Sequence, residues 1–171
     1  MLSLDTARLQ IFPCRLPLLT EIYLRHPHAA ESLQARVPDE WPQTELKEQL
    51  PYFIELLQHD PMAYPWLLWI IVSKEDRQVI GDVGFKGRPD KNGTVEIGYT
   101  ILPVFRSKGY MQEAAGALVA WAFCQPGVRR LVAECDVTNV ASQKVLRRLG
   151  MQEIKTTGEM LYWQLRNTQG L

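Results

Sequence analysis

Arg106-Ser107-Lys108-Gly109 sets two cations and a glycine directly ahead of YMQEAAGALVAWAF, an alanine-rich stretch with helical spacing. The first N–H groups of a helix have no intrahelical partner, and the aligned peptide dipoles make that end partly positive. A helix that begins this way is suited to hold an anion, phosphate above all. Gly109 removes a Cβ where the backbone must bend close to a ligand, so the stretch reads as a small diphosphate cradle. Neither G-x-x-x-x-G-K-[ST] nor G-x-G-x-x-G occurs in the chain, which disfavours ATP and NAD as that ligand. Taken alone, the run also fits a glycine that ends a loop beside two solvated cations.

The elements that must position this cradle follow from periodicity. ARLQIFPC (7–14) alternates as a first strand, and Pro17 introduces the helical LLTEIYLRH, whereas residues 31–41 lack periodicity. TELKEQLPYFIELLQ brings Leu46, Leu50, Phe53, Ile54 and Leu57 to helical spacing, with Pro51 expected to kink or begin a helix. WLLWIIV (66–72), VIGDVGF (79–85) and TVEIGYTILP are separated by the tips SKEDRQ and RPDKNG, which predicts three consecutive antiparallel strands. The period then changes to helical from Met111 until Pro126 and Gly127. RRLVAECDV reads as a strand, NVASQKVLRRLG as a helix stopped by Gly150, and MQEIKTT with GEMLYWQLRN as a closing strand pair around Gly158. The predicted order, β-α-α-β-β-β-α-β-α-β-β without internal repeat, belongs to one α/β domain over residues 1–171.

Composition narrows the partners. Nineteen basic residues balance nineteen acidic ones, so no global field recruits nucleic acid or an anionic membrane, and any anion site must be local. Cys14, Cys124 and Cys135 are odd in number and widely spaced, which suggests neither a disulfide framework nor a zinc site and fits a reducing cytoplasm. No secretory signal pattern opens the chain, and the longest apolar run, Trp66 to Val72, is too short to span a bilayer.

Glu96-Ile-Gly-Tyr-Thr-Ile-Leu-Pro, the Arg106–Met111 run, Glu113-Ala, Asn139-Val-Ala-Ser142 and Leu149-Gly-Met151 occur in that order. Together they closely resemble the GNAT superfamily of acyl-CoA-dependent N-acetyltransferases, most strongly its ribosomal-protein N-acetyltransferase branch, over about residues 7–165. The resemblance implies an α/β (α+β) fold in which about four helices flank a mixed, mostly antiparallel central sheet of about seven strands. It implies acetyl-CoA as cosubstrate without a metal, an amine acceptor that is a peptide N-terminus or a small molecule, and room for a homodimer. The acyl-CoA-binding core would span about 79–151, with 17–65 framing the acceptor. Tyr99, Thr100, Ile101 and Leu102 would pair with the pantetheine arm, and Arg106, Ser107, Lys108, Gly109, Tyr110 and Met111 would hold the pyrophosphate. Met111 departs from the family pattern, which ends there in a small residue; its side chain must turn outward or crowd the phosphates.

Acetyl transfer from a thioester to an amine needs a neutral amine, support for an oxyanion and a proton for the departing thiolate. A backbone N–H near Ile101 suits the oxyanion. Glu96 is a candidate to take the amine's proton, against the plainer reading of a strand glutamate paired with a lysine. Asn139 fits a helix N-cap, and the resemblance adds a contact to the cofactor arm. Ser142, one turn later, is by resemblance a candidate acid near the sulfur, or else a solvent-facing helix serine. Tyr110 and Tyr162 are weaker proton-donor candidates, Cys135 reads as a small buried hydrophobe, and His26 and His28 are candidates to line an acceptor pocket. A non-catalytic acyl-CoA sensor and a structural interaction domain are the competing readings.

Overall fold

The computed structural model describes residues 2–168. Its centre is one eight-stranded sheet in the order β1-β2-β3-β4-β5-β6-β8-β7. The strands are β1 (Leu4–Asp5), β2 (Leu9–Pro13), β3 (Leu68–Ser73), β4 (Gln78–Phe85), β5 (Thr94–Ile101), β6 (Arg130–Asp136), β7 (Gln152–Thr157) and β8 (Met160–Arg166). The helices are α1 (Leu16–Tyr23), α2 (His28–Leu33), α3 (Thr44–His59), α4 (Tyr110–Phe123) and α5 (Val140–Arg148), with 3-10 turns at Pro61–Trp66 and Pro103–Phe105. The expected class holds, with eight strands in place of about seven and five α-helices in place of about four among the described residues. The additions are the two-residue β1 and the one-and-a-half-turn α2, both too short for periodicity to show.

β3, β4 and β5 form the predicted antiparallel meander. Trp66 lies in the 3-10 turn rather than in β3. Pro51 neither begins nor ends a helix: α3 runs through it, and this proline sits on the exposed side, where the carbonyl it leaves unbonded can meet water. The buried stripe Leu46, Leu50, Phe53 and Leu57 holds α3 on the sheet regardless. On α4 the stripe is Met111, Ala114, Ala115, Leu118, Val119 and Ala122, small enough for the helix to lie close to the strands.

β5 and β6 are parallel neighbours, and their register covers only Thr94↔Arg130, Val95↔Leu131 and Glu96↔Val132. Beyond Glu96 the two strands part. Lys86 N–H bonds the Glu96 carbonyl at 3.1 Å and Leu102 N–H bonds the Ile80 carbonyl at 2.9 Å, so the even-numbered residues of β5 direct their backbone groups to β4. Ile97, Tyr99 and Ile101 therefore direct theirs into the opening.

Two glycines on facing strands have opposite tolerances. A Cβ on Gly84 would lie 2.1 Å from the Leu67 carbonyl oxygen, whereas one on Gly98 meets nothing within 4 Å. Gly84→Ala is expected to cost more than about 2 kcal/mol in urea unfolding, and Gly98→Ala less than about 1 kcal/mol.

Candidate active site

The opening between β5 and β6 leads into two cavities. The inner one, ≈ 260 Å³, runs under α3 and includes Asp82, Lys86, Glu96, Gly98 and Glu134 in its walls. The outer one, ≈ 760 Å³, runs between the start of α4 and α5 and includes Arg106, Ser107, Gly109, Lys144 and Arg148. Glu45, Tyr99, Thr100, Asn139 and Ser142 line both. That shared wall is where a ligand in one cavity would meet a ligand in the other.

The outer cavity contains the predicted cradle. Gly109 is the N-cap of α4 at φ 79°, a left-handed conformation that glycine adopts without strain, and no side chain caps the helix. Its first N–H groups thus have neither an intrahelical nor a capping side-chain partner among the described residues. Arg106, Ser107, Gly109, Tyr110 and Met111 line this cavity; Lys108 does not, and its Nζ lies 5.6 Å from the Phe105 ring centroid. Tyr99, Thr100 and Ile101 line it from β5, while Leu102 is buried with its amide bonded to Ile80. Met111 does not turn outward: it is 5% exposed and joins the core while flanking the cavity.

Arg8 reaches this loop from the β1–β2 turn, a connection with no local signal in the sequence. Its Nε donates to Glu113 Oε2 at 2.7 Å and its Nη1 donates to the Lys108 carbonyl at 2.9 Å. Its guanidinium also lies 4.3 Å from the Tyr110 ring centroid. Glu113 further accepts from Thr6 Oγ1 at 2.6 Å. Burial alone would raise the Glu113 carboxyl; Thr6 and Arg8 outweigh it and hold it below its ordinary range. Tyr110 is set edge-on to Phe105 while lining the cavity.

At the shared wall, Asn139 caps α5 by accepting from Ser142 N–H at 3.0 Å. The cap fixes Ser142 where its Oγ lies 2.8 Å from Tyr99 Oη. Burial is the main reason the Tyr99 phenol is pushed up to about 12, so it stays a neutral proton donor at physiological pH. Cys135 lines the inner cavity beside this pair, its thiol raised chiefly by burial, which keeps it from acting as a thiolate. Tyr162 lies on β8 opposite Glu134, where it stacks with Lys155 rather than with the Tyr99–Ser142 pair. His28 pairs with Glu21 at 2.9 Å and His26 touches the His28 ring, so both belong to the α1–α2 surface rather than to either cavity.

In the inner cavity Glu96 pairs with Lys86, whose Nζ also lies 3.5 Å from Glu134. Burial opposes the Lys86 charge, yet the two carboxylates raise its pKa and keep it an ammonium. Deeper in, Asp82 is 4% exposed. Its Oδ2 accepts from Trp41 Nε1 at 2.8 Å and from Thr100 Oγ1 at 2.7 Å. Burial pushes its carboxyl up to about 6 despite both donors, and Glu45 adds to the rise. Sequence reasoning passed over Asp82 because one aspartate in VIGDVGF looks like the polar side of an alternating strand.

Known proteins of similar sequence and fold identify the class as an acyltransferase. The Acetyltransferase (GNAT) domain model matches residues 17–152. The chain is 36% identical to the uncharacterized N-acetyltransferase YjdG of Bacillus subtilis (strain 168) over 163 residues, 95% of this chain and 97% of that one. Among solved structures, RimL, a ribosomal L7/L12 α-N-protein acetyltransferase in complex with coenzyme A, superposes with TM-score 0.67 at 19% identity, covering 96% of this chain and 98% of its own. The ribosomal-protein-S5-alanine acetyltransferase of Vibrio fischeri does so with TM-score 0.66 at 19% identity, covering 99% and 98%. This chain belongs to the GNAT acetyltransferase family.

Asp82 gives a stability signature. The folded state binds its proton more tightly than the unfolded chain, whose aspartates titrate near 4. Stability is therefore lost as pH rises from about 4 through about 6, by up to about 3 kcal/mol. Asp82→Asn should be the more stable protein at pH 8 in urea, and its advantage should shrink toward pH 4.

Proposed function

We propose that this acyltransferase moves an acetyl group from acetyl-CoA to a primary amine by direct transfer, with both substrates bound together. The observation that carries the reading is the meeting of two cavities at Tyr99, Thr100, Asn139 and Ser142, one beginning at a bare helix N-terminus and the other lined by carboxylates. Pyrophosphate would rest on the start of α4 beside Arg106, and the pantetheine arm would extend the sheet along Tyr99 and Ile101 in place of β6. The acetyl group would then stand at the shared wall, its carbonyl oxygen toward the open N–H groups of β5.

Asp82, Glu45, Glu96 and Glu134 line the inner cavity against Lys86, the single cation among the described residues there, an environment that attracts an ammonium. Its ≈ 260 Å³ suits a small amine or a narrow peptide end. Glu96, already paired with Lys86, would draw the ammonium in by exchanging one cation for another. After the amine nitrogen attacks, the C–S bond breaks and the thiolate needs a proton. Ser142 would give its own and be refilled by the adduct's N–H, directly or relayed through Tyr99 Oη, 2.8 Å away, which gives up one proton and takes one back. The proton count closes: an ammonium supplies one proton to the thiol, one to solvent, and keeps one on the amide.

A panel of primary amines with acetyl-CoA, followed by CoA release, should give turnover with at least one class of amine. Ser142→Ala and Tyr99→Phe should each lower kcat by roughly 10- to 100-fold with the Kd for acetyl-CoA unchanged. Glu96→Gln should chiefly raise KM for the amine. Binding of acetyl-CoA without turnover of any amine would make the protein a sensor instead.

A further inference from the structure

The inner cavity raises a question that Glu96 does not answer: which group takes the proton that an ammonium must lose before it can attack. Glu96 has its carboxylate committed to Lys86 at the outer end, near the last paired residues of β5 and β6. Asp82 lies at the other end. It is paired in register with Thr100, a residue of the wall common to both cavities, so it sits four strand positions nearer the acetyl side than Glu96 does. Between them the floor is Gly98, where even a Cβ would meet only open space.

Building on the acetyl-transfer reading above, we propose that Asp82 is the catalytic base, receiving the proton of the acceptor ammonium as it comes to rest over Gly98 beside Thr100. One N–H bond of the ammonium breaks, its electron pair stays on nitrogen, and the proton forms an O–H bond on the Asp82 carboxylate. The neutral amine then attacks the acetyl carbon, and Asp82 returns its proton to solvent after the product leaves.

Three observations support this assignment. Asp82 is almost wholly buried, yet it lines the cavity. The Trp41 indole and the Thr100 hydroxyl both donate to its Oδ2, the Thr100 backbone N–H also bonds the carboxyl, and these neutral donors fix its direction without supplying a cation. Its neighbours keep it an acceptor whose proton affinity is matched to neutral solution: Glu45 faces it from α3 and raises its pKa, Ile70 opposite it on β3 is apolar, and Lys86, Glu96 and Glu134 lie further along the cavity with Tyr99 and Cys135 on the far wall. A purely structural aspartate would be expected to hold an arginine or lysine at such a site, because an unpaired buried carboxylate costs stability.

The test is the pH profile of kcat/KM for the amines that the wild-type protein accepts. Wild type should show an acid limb inflecting near pH 6 that stays in place when amines of different basicity are exchanged. Asp82→Asn, which keeps the shape and can still accept from Trp41 and Thr100, should lose that limb and about 100-fold or more in kcat at pH 7.5, with the Kd for acetyl-CoA unchanged. Thr100→Val removes a donor to the ionised form and should move the limb to higher pH. If Asp82→Asn keeps the limb and stays within threefold of wild-type kcat, the assignment is overturned while the acetyltransferase reading stands. Should Asp82→Asn not fold, an unmoved limb in Thr100→Val overturns it equally. If wild type turns over no amine, the assignment falls together with the reading on which it rests.

Discussion

The parting of β5 from β6 after three paired residues is the constraint on which the rest of the molecule depends. A sheet interior normally satisfies every backbone N–H and C=O through its neighbours. Here the odd-numbered backbone of β5 beyond Glu96 is left to find partners elsewhere, in the middle of an eight-stranded sheet rather than at its edge. On the proposed function, an extended ligand arm in the place of the missing strand would recover that cost. The same parting lets the space under α3 communicate with the space beside α4 and α5, so one geometric feature creates both cavities' common wall.

Holding that opening requires ties from distant parts of the chain. Arg8 and Thr6 fasten the N-terminal hairpin to Glu113 in the first turn of α4. This pairing does more than pack the hairpin. A free glutamate in the first turn would offer its own charge to the helix dipole and repel a phosphate; one held by Arg8 does so far less. Arg8 also anchors the carbonyl of Lys108, the residue before Gly109, and so steadies the bend from which α4 starts. On the other side of the opening, the Asn139 cap serves α5 and the site together, because the hydrogen bond that begins the helix is the one that places Ser142 beside Tyr99.

Much of this was legible in the sequence because the signals are local. The cradle lies in one run of residues, Asn139 and Ser142 are three apart, and the alternation of TVEIGYTI fixes which residues share a face. What stayed hidden was non-local. The Tyr99–Ser142 pair spans 43 positions and the Thr6–Glu113 pair 107, and no spacing rule joins residues so far apart. The short β1 and α2 give no periodicity, and Pro51 leaves a kink or a helix start open where α3 runs on through its apolar stripe. Asp82 was concealed for a different reason: its significance comes from α3 and Trp41 closing over a strand face that alternation alone would leave to solvent.

Met111 shows how the same burial argument resolves a local departure. A small residue at that position leaves room beside the phosphates, and a methionine there would crowd them if it pointed at the cradle. In α4 it follows the helical stripe through Ala114, Ala115 and Leu118 instead, so its flexible side chain is taken up by the core. The alanines around it supply the space that the family pattern provides at the helix start. Its backbone N–H, one of the uncapped groups of α4, is unaffected by what the side chain does. The geometry of this helix start therefore depends on Gly109 and on the helix direction, with the Met111 side chain taken into the core at its edge.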